Sequence, residues 1–105
     1  MTYSEVMAQE MGYQTKTTFW DDFTIADAFG PDAIQDTFNR AFEEWRGNYV
    51  YLTELVLVLN HKIWQWYEKD EKIARLYNDI WQKANDYANE NLKGAEYEYF
   101  WRVTD

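Results

Sequence analysis

The chain has 105 residues, no Cys and a formal net charge of −9, with six Trp, nine Tyr and six Phe. The length fits one domain, and the lack of Cys excludes disulfide frameworks, thiolate metal sites and Cys nucleophiles. The acidity argues against direct nucleic-acid binding, which needs clustered Lys and Arg, while aromatics that each bury roughly 150–250 Å² supply a core without covalent or metal staples.

Residues 1–17 show weak periodicity and are expected to form a flexible tail, in which Tyr3, Met7 and Met11 at i, i+4, i+8 permit a short helix. The first sixteen carry neither the basic nor the apolar region of a signal peptide. Residues 18–105 read as a single all-α domain, a compact bundle of about four helices with short connections. Thr18 is the expected N-cap of a first helix reaching about Phe29, with Asp21 and Asp22 in its first turn, where the helix dipole favours anions. Its apolar side is Phe19, Phe23, Ala26 and Phe29, and Gly30 ends it.

Pro31 suits the first turn of a second helix, where its missing N–H costs nothing. Ile34, Phe38, Ala41, Phe42 and Trp45 form its apolar stripe and Gly47 closes it. On the other side Asp32, Asp36 and Glu43 align within about 40°. Such a stripe is ordinarily a solvated face; the sharper reading is contact with a basic surface. Residues 19–46 hold seven acids against two bases, so any electrostatic steering comes from this half of the chain.

Asn48 caps the third segment. Its start, YVYLTELVLVL, has the β-branched and aromatic content of a strand. The longer pattern decides for a helix, because Leu52, Leu55, Val56, Leu59, Ile63 and Trp66 stay on one face well past strand length. A second stripe, Val50, Leu57 and Trp64 with His61 beside it, makes this helix apolar on two sides. Such a helix is either central to its bundle or faces a partner, and these four residues are the candidate interaction surface. Asp70 caps a fourth helix whose core face is Ile73, Leu76, Tyr77, Ile80, Trp81, Ala84, Tyr87 and Ala88, and Gly94 ends it. The tail, AEYEYFWRVTD, alternates like a strand, but a lone strand has nothing to pair with in a helical domain. A short helix or an extended segment packed on the bundle is expected there.

No catalytic residue set, cofactor motif or metal site is found. His61 is the only His, and it has no Glu-x-x-His partner. Adjacent acids such as Asp21–Asp22 and Glu43–Glu44 point about 100° apart on a helix and share no site by default. There is no calcium loop, nucleophile elbow or Gly-rich phosphate loop. Trp20, Tyr51, Trp64 and Trp101 lie off the main stripes or in the tail; they are either recognition rings or covered by other segments. The longest apolar run, Leu55–Leu59, is far short of the ~18–20 residues of a membrane helix, so the chain is expected to be soluble and cytoplasmic.

The blocks TTFWDDFTIADAFG, DTFNRAFEEW, YLTELVLVLNHKIWQWYE and LYNDIWQKANDYA resemble a group of small, acidic, uncharacterised proteins of conjugative and phage-like mobile elements of Firmicutes. The resemblance covers nearly all of residues 17–105. It implies a bacterial accessory protein and brings no activity or catalytic residues with it.

Three functions are compatible with these features. The first is a non-enzymatic protein–protein interaction module, binding a protein partner or forming a homodimer through the second stripe of the third helix. The second is an acidic inhibitor that occupies the DNA site of a nucleic-acid-binding enzyme by presenting carboxylates in place of phosphates. The third is an enzyme or small-ligand protein with an aromatic pocket rimmed by acids.

Overall fold

The computed structural model describes residues 17–104, and the expected short helix at Tyr3, Met7 and Met11 lies outside them. Five helices follow in order: α1 (Phe19–Phe29), α2 (Pro31–Trp45), α3 (Tyr49–Trp66), α4 (Glu71–Asn91) and α5 (Ala95–Thr104). Among the described residues there is no strand, so the all-α expectation holds, with five helices rather than about four.

The caps fix the boundaries. Asn48 Oδ1 accepts from the backbone N–H of Val50 and Tyr51 at 3.1 and 3.2 Å. Asp70 Oδ1 accepts from Lys72 and Ile73 at 3.0 and 3.2 Å. Each cap satisfies donors that the helix itself leaves open, which is worth about 1 kcal/mol. Thr18 occupies the N-cap position of α1 but does not cap with its side chain. Its Oγ1 donates to Asp22 at 2.9 Å instead, while Thr17 Oγ1 accepts from the Phe19 N–H at 3.2 Å. Between α1 and α2 the chain reverses at Gly30, whose φ of 104° is a left-handed value that any side chain would strain.

α3 packs against each of the other four helices. Every residue from Leu52 to Leu59 is buried, including Thr53 and Glu54. This explains the two apolar stripes: one side of α3 meets α4 and the other is covered by α5. The burial of eight consecutive positions is what makes the segment look strand-like in sequence. Phe23, Ile34, Phe38, Leu52, Leu55, Leu59, Tyr77 and Ala84 form the centre of the core.

α5 resolves the ambiguous tail as a helix. α4 ends at Asn91 rather than at Gly94, which instead opens α5: its carbonyl accepts from the Glu98 N–H at 3.0 Å, and Glu96 and Glu98 lie in the first turn and Arg102 in the last, as the dipole favours. Its one deeply buried residue is Phe100, which breaks the strand-like alternation of the sequence. Burial of this ring, together with the partly buried Tyr97, outweighs the local pattern.

The apolar side expected for α1 needs one correction. Phe29 is 78% exposed, whereas Trp20 is buried. At about 100° per residue Phe19, Phe23 and Ala26 face the core together, while Phe29 lies on one shoulder with Asp22 and Ile25. Trp20, Thr24 and Asp27 occupy the other shoulder and turn inward toward α3.

Candidate functional site

The described part of the molecule has two places where chemistry-bearing side chains gather. One is closed and one is open.

The closed one joins α1, α3 and α4. Lys62, on the penultimate turn of α3, is fully buried. Its Nζ lies 2.8 Å from Asp27 Oδ2 and 2.9 Å from Thr24 Oγ1, and sits 4.3 Å from the centre of the Trp20 ring. The Tyr77 hydroxyl, also fully buried, donates to the second Asp27 oxygen. Burial pushes the Lys62 ammonium below its ordinary 10.5, opposed by the Asp27 carboxylate. Burial also raises the Tyr77 hydroxyl, and its hydrogen bond to Asp27 and the carboxylate charge raise it further. A lysine with a lowered pKa is the raw material of amine nucleophiles. Here the ammonium itself is buried among three partners where α1 meets α3, and the grooves at α1–α2, at α3–α4 and beneath α5 are lined by other residues. The arrangement ties three helices in one register.

A second buried acid, Glu54, is 2% exposed and accepts from both the backbone N–H of Thr17, at 3.0 Å, and the Thr17 hydroxyl. It anchors the segment entering α1 on α3. Tyr99 of α5 stacks edge-on against Tyr49 at 5.4 Å. Its hydroxyl is raised by burial first, then by Tyr49 and Glu54, with Arg102 opposing.

Sequence reasoning missed this polar core. The only available signal was geometric: Thr24 and Asp27 share the shoulder of α1 that carries Trp20, and Lys62 interrupts an otherwise apolar side of α3.

The candidate interaction surface is not continuous. Leu57 is buried and lies with Trp81, Asn85 and Thr104 between α3, α4 and the end of α5. Val50 and His61 are half-buried, and only Trp64 is exposed, at 67%. The second stripe is therefore taken into the bundle at Leu57, where the end of α5 lies beside it. Trp64 pairs with the exposed Tyr67 at 5.7 Å. Of the other off-stripe rings, Trp20 is buried, Tyr51 is half-buried against Trp45 at 4.4 Å, and Trp101 is exposed. Asp32, Asp36 and Glu43 are all exposed on α2.

The open site is a groove of about 540 Å³ between the outer faces of α1 and α2. Its floor includes Ala26, Ala33 and Ala41, and Ile25 and Phe29 rise on the α1 wall. Asp22 on α1 and Asp36 and Glu44 on α2 bring carboxylates to it; Arg40 is the one base lining it, with its Nε directed at the Asp36 carbonyl at 3.4 Å. Ile25 and Phe29 are 61% and 78% exposed. A second groove, of about 490 Å³, lies between the end of α3 and the start of α4, beside Tyr67 and the exposed Glu71–Arg75 pair.

Among the described residues no three His, Asp or Glu side chains converge as a metal site, and no helix is long and apolar enough to cross a membrane. No protein-family model, curated protein or solved structure matches the chain.

Proposed function

We propose that this chain is a non-enzymatic protein-interaction module that engages its partner through the outer face of α1 and α2. The observation that carries this reading is the exposure of Ile25 and Phe29 beside an open groove, in a molecule whose core is otherwise filled by large side chains. Exposed apolar side chains at a concave surface are a usual mark of a contact site. The absence of a catalytic motif in the sequence and the enclosure of Lys62 and Tyr77 in the core agree with a binding role. An accessory protein acting in the cytoplasm, as the sequence resemblance implies, fits the same reading.

The test compares wild type with Ile25→Asp/Phe29→Asp. Both proteins are checked for folding by circular dichroism, for self-association by analytical ultracentrifugation, and for retention of a partner captured from host lysate. Loss of a specific partner or of dimerisation in a folded double variant supports the reading. Unchanged assembly and capture refute the placement.

A second reading rests on the exposed carboxylates of Asp32, Asp36 and Glu43 along one side of α2. They suit an acidic inhibitor that occupies the nucleic-acid site of a basic enzyme. In that case binding is lost at high salt and weakened by Asp32→Lys plus Asp36→Lys, while Phe29→Asp leaves it intact.

A further inference from the structure

We infer that the occupant of the α1–α2 groove is a basic amphipathic helix of another protein; the inference rests on the interaction reading above and specifies its partner.

The groove has the shape for a third helix. α1 and α2 are joined by a tight reversal at Gly30 and run as a packed pair. Between them the floor is set by alanines, Ala26 on one helix and Ala33 and Ala41 on the other. Small side chains let a third helix axis settle between two others, and the next layer of a helical bundle packs in such a position. The 15 residues of α2 span about 22 Å at 1.5 Å per residue, which sets an occupant of three to four turns.

The wall chemistry selects the helix. Ile25 and Phe29 stand one turn apart on α1 and offer an apolar strip to residues spaced i, i+3 or i+4 on the occupant. Asp22 flanks this strip on the same wall, and Asp36 and Glu44 face it from α2. Among the described residues neither Asp36 nor Glu44 is in a salt bridge. With three carboxylates against the single guanidinium of Arg40, the groove suits Lys or Arg on both flanks of an apolar stripe. The same charges disfavour a second copy of this chain. Docking the groove of one molecule on that of another would set acid against acid, between molecules that each carry −9. A flat acidic inhibitor surface has no need of Ile25 and Phe29, so the exposed apolar strip favours a helix ligand over a phosphate mimic.

The experiment uses the full chain, ¹⁵N-labelled, and three synthetic 14-residue peptides. One has Leu on one helical face and Lys on the other. One has the same composition in scrambled order. One has Glu in place of every Lys. The expected result is that the Leu/Lys amphipathic peptide shifts the amides around Ile25, Phe29, Ala33 and Ala41, and that the other two do not. Affinity falls at least about tenfold between 0.05 and 0.5 M NaCl, because the rim contacts are exposed ion pairs. Phe29→Asp abolishes the shifts, and Asp36→Lys plus Glu44→Lys weakens binding about tenfold or more while the far-ultraviolet spectrum stays unchanged. Equal binding by the scrambled peptide, with shifts at the exposed acids of α4 such as Asp79, Asp86 and Glu90, overturns the inference as a bare charge effect. Binding of the Leu/Glu peptide in the groove overturns the basic partner but leaves the contact surface standing. With no groove shift from any peptide the helix ligand falls; the interaction reading then stands or falls on whether Ile25→Asp/Phe29→Asp changes assembly or capture.

Discussion

Removing one member of the Lys62–Asp27 pair will cost far more than removing both. Asp27→Leu leaves an ammonium fully enclosed, with only Thr24 and the Trp20 ring as partners, and deprives the Tyr77 hydroxyl of its acceptor. Stranding a buried charge costs about 3–5 kcal/mol, and an orphaned buried hydroxyl adds about 1–3 kcal/mol. Against a total stability of about 5–15 kcal/mol, the single variant is expected to be barely folded, with Tm lowered by at least about 16 °C at about 4–8 °C per kcal/mol. Lys62→Met is milder, because the Asp27 side chain keeps 8% exposure and its Tyr77 donor. In Asp27→Leu/Lys62→Met both members of the ion pair are gone. The residual cost is the Tyr77 hydroxyl, since the Thr24 hydroxyl still donates to the Trp20 carbonyl at 2.8 Å, so the double variant is expected within about 1–3 kcal/mol of wild type. The coupling between the sites is then at least about 2 kcal/mol in the double variant's favour. Urea unfolding at pH 7, followed by circular dichroism and by Trp fluorescence, measures all four proteins. Additive losses in the double variant, or an Asp27→Leu protein within about 1 kcal/mol of wild type, would refute the enclosed ion pair.

Above pH 10.0 the unfolded chain releases the Tyr77 proton that the folded chain retains, so stability falls by up to about 1.4 kcal/mol per pH unit for that group. Tyr99 acts in the same direction, so Tyr77→Phe should flatten the alkaline fall only in part, as pH-dependent urea midpoints will show. Just below 10.5 Lys62 acts oppositely: the unfolded chain holds a proton that the folded chain has begun to release, so stability rises with pH, and Lys62→Met removes this rise. Leu57→Asp is expected to unfold the domain, since it puts a carboxylate beneath α5, whereas Trp64→Ala changes stability by less than about 0.5 kcal/mol; thermal melts distinguish the two. Asn48→Ala should cost about 1 kcal/mol through loss of the α3 cap, measurable as a shift in urea midpoint without change in m.

Local signals carried the helix boundaries. Asn48, Asp70 and Pro31 mark helix starts because each acts on backbone groups within its own turn, and the structure uses all three as expected. The stripes of α2 and α4 were legible for a related reason: each helix buries one side only, so hydrophobic periodicity reports burial directly. Phe29 misled because a helix as short as α1 has few apolar positions, and a ring one step round from the core face cannot be told from one within it. The tail stayed between a short helix and an extended segment, since its alternation is local and the burial of Phe100 against the bundle is not.

By itself the sequence determined the helical class, the segments and their caps, the acidic side of α2 and the absence of a recognisable catalytic motif, all of which follow from composition or from interactions within a few residues. Tertiary structure alone decided what the second stripe of α3 faces, because whether α5 or a partner covers Leu57 depends on where a distant segment returns. It alone brought Lys62 to Asp27 and Thr24, 35 and 38 residues away in the chain, and Tyr77 to Asp27 across 50. It also left Ile25 and Phe29 outside. Two helices packed as a pair bury their facing sides first, and the shoulders that look away from the rest of the bundle remain open for something else to fill.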